Sequence, residues 1–296
     1  MRLKDSGPNT YTVLIDKLPP RKLVGHPQQE THILATALTN GEHDVTIFKN
    51  TEPFVGEAQF LGLDFGPGGE LLPPRTHTRR IEIIGDSISC GYGIEGASAT
   101  CTFSPETENA YMTYGAIAAR ALGADVSIIA WSGIGVVRNG NGSVTDTMPI
   151  RYARTLPQYA WSTWDTAGFA PDAIVVNLGA NDFLAGSDPG EAPFVAAYRA
   201  FLDTVRSRNP SAQIIAAMGP MLTDEEGNHW RTQSHDYITR VVKEMNAAGD
   251  ARITFLEFAP PDPKREKLGC DEHPGVLTNK RMGAELAIAL KKALAW

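Results

Sequence analysis

Four short segments of this 296-residue chain carry the residue types that acyl transfer requires. They are Gly85-Asp86-Ser87-Ile88-Ser89, Ser132-Gly133-Ile134-Gly135, Gly179-Ala180-Asn181-Asp182 and Gly269-Cys270-Asp271-Glu272-His273-Pro274. Such chemistry needs a nucleophile, a general base within hydrogen-bond reach, and donors aimed at the developing oxyanion. Ser87 supplies the hydroxyl and His273 the base. The N–H groups of Ser87 and Gly135 and the side-chain amide of Asn181 supply the donors. Glycine lets its N–H approach a ligand unobstructed, and an asparagine amide donates at any pH. The imidazole must also keep one tautomer, so its second nitrogen needs an acceptor. Two are open: the Asp271 carboxylate or a backbone carbonyl. Pro274 biases His273 toward an extended backbone. In an extended segment Asp271 and His273 point to one side, with Cβ atoms roughly 6–7 Å apart. The carboxylate would then have to bend across to reach the ring.

Each segment follows a stretch that reads as a strand or lies near the end of the last one. The β-branched run Ile81–Ile84 precedes Ser87, and further strands are expected at 125–130, 173–178, 213–218 and 253–258. Between them lie amphipathic helices, with Tyr114, Ala118 and Leu122 on one face, Phe194, Tyr198, Phe201 and Val205 on another, then Ile238, Val241 and Met245, and finally Met282, Leu286 and Leu290. Alternating strands and helices predict an α/β fold with a five-stranded parallel, doubly wound, flavodoxin-like sheet over residues 79–296. All four segments then meet at the carboxyl edge of that sheet, where ligands bind in open α/β folds. Residues 1–78 have a different grammar. Alternation at Tyr11-Val13-Ile15, Val45-Ile47 and Leu61-Leu63-Phe65, with turns at Asn40-Gly41 and Gly66-Pro67-Gly68, predicts a small N-terminal β-sandwich, a partial jelly roll. Ile33 to Leu38 is ambiguous between helix and strand.

Composition narrows the function classes. The chain is 42% hydrophobic and 21% charged with a net charge of −7, and no Lys/Arg cluster suggests nucleic acid. No apolar run has the length of a membrane span, and no signal peptide is visible, which reads as cytoplasmic if Met1 is the true start. Cys90, Cys101 and Cys270 allow one disulfide and a free thiol, or three free thiols. Neither they nor the other six histidines show metal-ligand spacing, so no metal or organic cofactor is expected. Gly91-Tyr92-Gly93-Ile94-Glu95-Gly96 matches the dinucleotide fingerprint, but it starts late after its strand and runs into a loop. It reads as a glycine-rich loop beside the nucleophile. Asp86 and Asp182 read as supports of the loops bearing Ser87 and Asn181, and Trp131 as core.

The four segments, in this order, resemble the blocks of the SGNH (GDSL) hydrolase superfamily. A narrower likeness is to the family-two carbohydrate esterases, acetylxylan esterases with a β-sandwich before the catalytic domain. It is carried by Thr51-Glu52, GDSISCGYG, Thr107-Glu108-Asn109-Ala110-Tyr111, Ser132-Gly133-Ile134-Gly135 and the segment ending at His273-Pro274. The resemblance implies a serine esterase that removes acetyl or short acyl groups, with acetylated plant polysaccharide such as xylan as substrate, and it implies secretion. It implies Ser87, His273 and the donors Gly135 and Asn181 as site residues. It also implies that the first strands of the sandwich are absent, since residues 1–78 resemble only its later part. An esterase acting on lipid or aryl esters, and a carbohydrate-binding protein without turnover, are the alternatives. Most SGNH enzymes have the triad acid three residues before the histidine, where this chain has Cys270. Family-two members can instead hold the imidazole with a carbonyl. An aromatic residue often precedes their histidine, where Glu272 stands here.

Overall fold

The computed structural model describes residues 1–165 and 168–296. The N-terminal stretch forms β1 (Arg2–Asp5), β2 (Thr10–Ile15), β3 (Arg21–Val24), β4 (Val45–Lys49) and β5 (Ala58–Gly62). β1 pairs antiparallel with β5, and β2 lies between β3 and β4 in a second antiparallel sheet. Met1 and Leu3 pack with Tyr11, Val13, Ile15 and Leu23 in one small core between the sheets. The opposite face of β2 is also buried, because Thr10 and Thr12 turn toward Asn50 and Thr51, with Thr12 Oγ1 donating to Asn50 Oδ1 at 2.9 Å. The strand expected around Leu61–Phe65 lies earlier, at β5. No helix forms over Ile33–Leu38, where Ile33 is exposed and Ala37 has φ 58°. A helix needs a surface to bury its apolar face, and this one has none.

The larger sheet contains β6 (Arg79–Gly85), β7 (Ala124–Ala130), β8 (Ala173–Asn177), β9 (Gln213–Met218) and β10 (Ile253–Glu257). All neighbours are parallel and the order is β7-β6-β8-β9-β10, the flavodoxin-like arrangement that the strand–helix alternation predicts. Successive residues of β8 go to opposite faces. Ile174 and Val176 meet Phe194, Tyr198 and Val241 from α5 (Glu191–Arg208) and α6 (Trp230–Ala247). Ala173 and Val175 meet Tyr114, Ala118, Met282 and Leu286 from α2 (Tyr114–Leu122) and α7 (Val276–Leu294). Burial on both faces explains why the strands read as continuous apolar runs. The short helices α1 (Ser87–Cys90), α3 (Met148–Arg151) and α4 (Ala180–Leu184) sit in the loops that leave β6, β7 and β8.

The two units are joined by polar bonds as well as by the stretch 63–78, which contains no helix or strand. Ala110 N–H donates to the Asn50 carbonyl at 2.9 Å, and Lys22 is paired with Glu95 and donates to the Glu106 carbonyl at 2.9 Å. Phe48 meets Tyr111 edge-on with ring centroids 5.6 Å apart.

Candidate active site

β6 ends at Gly85, and the chain turns at once into α1, whose first residue is Ser87. The turn leaves no room for a larger residue at 85, where a Cβ would lie 2.0 Å from Ser89 Oγ. Asp86 caps α1 by accepting the Ile88 N–H at 3.0 Å, and α1 ends on Gly91 at φ 80°. Ser87 is therefore held at the mouth of the sheet by both ends of a four-residue helix. Burial pushes the Asp86 carboxyl up to about 7, against the Ile88 N–H bond that favours its charged form.

His273 Nε2 lies 2.8 Å from Ser87 Oγ, and its Nδ1 lies 2.9 Å from the backbone carbonyl of Asp271. The Asp271 carboxylate does not reach the ring. It accepts the Tyr92 hydroxyl at 3.0 Å and the Phe103 N–H at 2.9 Å. Asp271 as a triad acid is thereby corrected to a serine–histidine pair oriented by a main-chain oxygen. The physical cause is local. Asp271 and Glu272 adopt φ 48° and 60°, so the chain doubles back before His273 instead of running straight. His273 itself is extended, with φ −71° and ψ 155°, as Pro274 requires.

The reversal is held from outside. Cys270 is disulfide-bonded to Cys101, leaving Cys90 as a buried free thiol. Asp271 N–H donates to the Cys101 carbonyl at 2.9 Å and Glu272 N–H to that of Ala99 at 3.1 Å. The glycine-rich loop after α1 serves the same end. Cys270 N–H donates to the Gly93 carbonyl at 2.9 Å, and a Cβ on Gly96 would collide with Cys270. Tyr92, from the same loop, places its ring 4.4 Å from the His273 ring and stacks on Phe103 at 4.2 Å. Burial depresses the His273 pKa, and the carbonyls of Asp271 and Cys270 oppose that shift. The imidazole is thus biased toward the neutral form a base requires.

Of the residues expected to donate to an oxyanion, one lines the pocket beside Ser87 and one does not. Asn181, on α4 after β8, lines the pocket in front of Ser87. Its Nδ2 donates to the Ile134 carbonyl at 2.9 Å and leans on Asp86 Oδ2 at 3.3 Å, so one N–H is only weakly engaged. Gly135 is a correction. Its N–H donates to Asn139 Oδ1 at 3.1 Å, and it does not line the pocket. Gly133 does, at φ 79°, and its N–H has no protein acceptor among the described residues. Sequence cannot separate two glycines two positions apart when only backbone direction distinguishes them. Behind Gly135 the Asp182 carboxylate gathers the N–H groups of Val136, Val137 and Arg138 at 2.7–3.1 Å, a loop support as expected.

Ser87, His273, Asn181 and Gly133 surround a cavity of about 320 Å³. Tyr92, Leu184 and Met221 supply its apolar wall, and Ser132 its polar rim. Trp131, expected in the core, is half-buried and lines a separate cavity of about 260 Å³, with Arg151 stacked at 4.1 Å and Phe54 at 6.2 Å. Among the described residues one cluster, Glu52, Cys90 and Glu108, has the chemistry to hold a metal ion. It is buried off the pocket, and both Glu52 oxygens already accept from Ser132. Tyr92 and Glu52 are the residues sequence reasoning gave no role. Both lay inside motifs that carried the resemblance.

The chain is similar to known proteins over its whole length. Residues 83–281 match the GDSL-like lipase/acylhydrolase family, and residues 1–74 match the carbohydrate esterase 2 N-terminal domain. The chain is 38% identical, over 99% of its length, to the cellulase/esterase CelE of Acetivibrio thermocellus, of which it spans 35%. It is 28% identical to an acetylxylan esterase / glucomannan deacetylase of Cellvibrio japonicus, across 98% of this chain and 78% of that one. Among solved structures, a family two carbohydrate esterase from Clostridium thermocellum in complex with cellohexaose superposes with TM-score 0.92 at 38% identity, covering 99% and 88% of the two chains. A family two carbohydrate esterase from Cellvibrio japonicus gives 0.86 at 26%, covering 100% and 85%.

Proposed function

The chain belongs to the family-two carbohydrate esterases, within the GDSL-like lipase/acylhydrolases, and we propose that it removes acetyl groups from acetylated polysaccharide, with Ser87 as nucleophile and His273 as base. The observation that carries the mechanism is the 2.8 Å contact between Ser87 Oγ and His273 Nε2, on a ring whose other nitrogen is engaged at 2.9 Å. Nδ1 carries the proton because its partner is a carbonyl, which can only accept. Nε2 is then left with its lone pair toward the serine.

His273 takes the Ser87 proton as Oγ attacks the ester carbonyl. The N–H groups of Ser87 and Gly133 and the Asn181 amide receive the oxyanion. The imidazolium then protonates the departing sugar oxygen, leaving an acyl-serine. Water, deprotonated by His273, attacks that ester. Collapse of the second tetrahedral species expels Ser87, which recovers the proton, and acetate leaves. Every proton that His273 accepts it returns within the same half-reaction. A cavity of about 320 Å³ walled by Leu184 and Met221 suits a short acyl group.

The names of the relatives support an acetylated xylan or glucomannan as substrate. Such a substrate, together with the Cys101–Cys270 bridge, supports an oxidising compartment outside the cytoplasm. No described helix is long and apolar enough to cross a membrane. The test sets a chain-length series of p-nitrophenyl esters against acetylated xylan and glucomannan, for wild type and Ser87→Ala. Acetate release that falls on the order of 10³-fold in Ser87→Ala is expected. Preference for long acyl chains would point to a lipid esterase, and carbohydrate binding without turnover to a non-catalytic protein.

A further inference from the structure

Glu52 belongs to the N-terminal unit, in the loop after β4, yet both of its carboxylate oxygens are spent on the rim of the catalytic pocket. Ser132 N–H donates to Oε2 at 2.7 Å, and the Ser132 hydroxyl donates to Oε1. Glu52 is only 5% exposed, and Glu108, which accepts the Glu52 N–H at 3.2 Å, is wholly buried. The two carboxyls and the Cys90 sulfur lie within 4.8 Å of one another. Lys49, the neighbouring cation, turns its ammonium to the Thr51 carbonyl. Two buried carboxyls this close do not both ionise. Burial raises both pKa values, and the Glu52 charge raises that of Glu108 further. Glu108, pushed up to about 10, therefore holds a proton, and both Glu52 oxygens accept from Ser132.

The consequence lies one residue on. With its N–H withdrawn to Glu52, Ser132 offers no backbone donor to the pocket. Gly133 follows in the left-handed region, and its N–H is the first of the segment with no acceptor among the described residues. We propose that Glu52 is a positioning residue for ester hydrolysis, fixing Ser132 from the N-terminal unit and thereby setting the Gly133 edge of the pocket against the developing oxyanion. This rests on the esterase reading given above. It makes the small β-unit part of the catalytic apparatus, acting through Ser132 rather than on substrate.

Steady-state kinetics on p-nitrophenyl acetate, with Tm, test it for wild type, Glu52→Gln, Ser132→Ala and the double variant. Glutamine keeps the size of the side chain but turns an NH2 on one Ser132 donor. In Glu52→Gln, kcat falls on the order of 10- to 100-fold, a fraction of the effect of losing an oxyanion donor, while KM stays within about threefold. The double variant loses little more than Glu52→Gln alone, because the two residues act in series. Additive losses, a change confined to KM, or wild-type kcat in Glu52→Gln would overturn the proposal. Should Glu52→Gln fail to fold, Ser132→Ala decides by itself. It removes one of the two bonds and lowers kcat several-fold in protein that remains folded, and a wild-type kcat refutes the role. An inactive wild type would remove the esterase reading together with it, whereas an active wild type with an indifferent Glu52 removes only the inference.

Discussion

Replacing Asp271 by asparagine separates a carbonyl-oriented histidine from a triad. The imidazole Nδ1 faces the Asp271 carbonyl at 2.9 Å, which the substitution leaves in place. Residue 271 sits at φ 48°, a conformation asparagine tolerates better than most residues. The new side chain can still accept the Phe103 N–H through Oδ1, so what is lost is the charge on the bond from the Tyr92 hydroxyl. The carboxylate is exposed, and solvent screening brings that loss down to about 1 kcal/mol, below the range for a shielded charged bond. Even if all of it fell on the transition state through the Tyr92–His273 contact, kcat would drop about fivefold. Removing a true triad acid costs on the order of 10⁴-fold, because the amide turns the imidazole to the wrong tautomer. The two cases differ by about three orders of magnitude. Measuring kcat on p-nitrophenyl acetate at the alkaline plateau, with Tm as a control for folding, distinguishes them. A loss beyond about 100-fold at unchanged Tm would refute the carbonyl assignment.

The pH profile gives an independent check. Burial disfavours imidazolium, so the base form of His273 persists below the ordinary value of 6.5, and kcat/KM should fall with acid only at an apparent pKa under 6.5. An apparent pKa above 6.5 would mean that a carboxylate stabilises the imidazolium, contrary to the geometry. The Cys101–Cys270 bridge closes 169 residues of chain, for which loop entropy predicts about 5 kcal/mol of stabilisation. Reduction, confirmed by the appearance of two reactive thiols, should lower Tm and also kcat, because the turn before His273 loses its anchor. Unchanged kcat in the reduced enzyme would show that the backbone bonds to Ala99 and Cys101 hold the turn unaided.

The parallel sheet was legible in the sequence because its strands are buried on both faces. Ile81–Ile84 and Ala173–Asn177 could hardly be anything else between glycine-rich turns. The N-terminal unit was read less well. Arg2–Asp5 and Arg21–Val24 are short, half-charged edge strands with too little apolar patterning to register. Ser87 and His273 were legible from residue type and position after a strand. Gly133 was not, and the choice between the Asp271 carboxylate and a backbone carbonyl stayed open, because both turn on positive φ values that residue identity does not report. Glu52 was hidden for another reason: its partner, Ser132, lies 80 residues away in a different unit.

A catalytic partner made of main chain changes how such an enzyme can drift. Substitution deletes side chains but not carbonyls, so position 271 is free to vary among residues that accept a left-handed backbone. Descendants could exchange Asp271 for asparagine or glycine and keep the same chemistry. A saturation scan would then return two indispensable catalytic positions, and a search keyed to three would pass this lineage by. The constraint moves to whatever shapes the turn: the two cysteines, and the glycines at 93 and 96 against which Cys270 is packed. Those positions, rather than an acidic residue, are where selection for a working base would leave its mark.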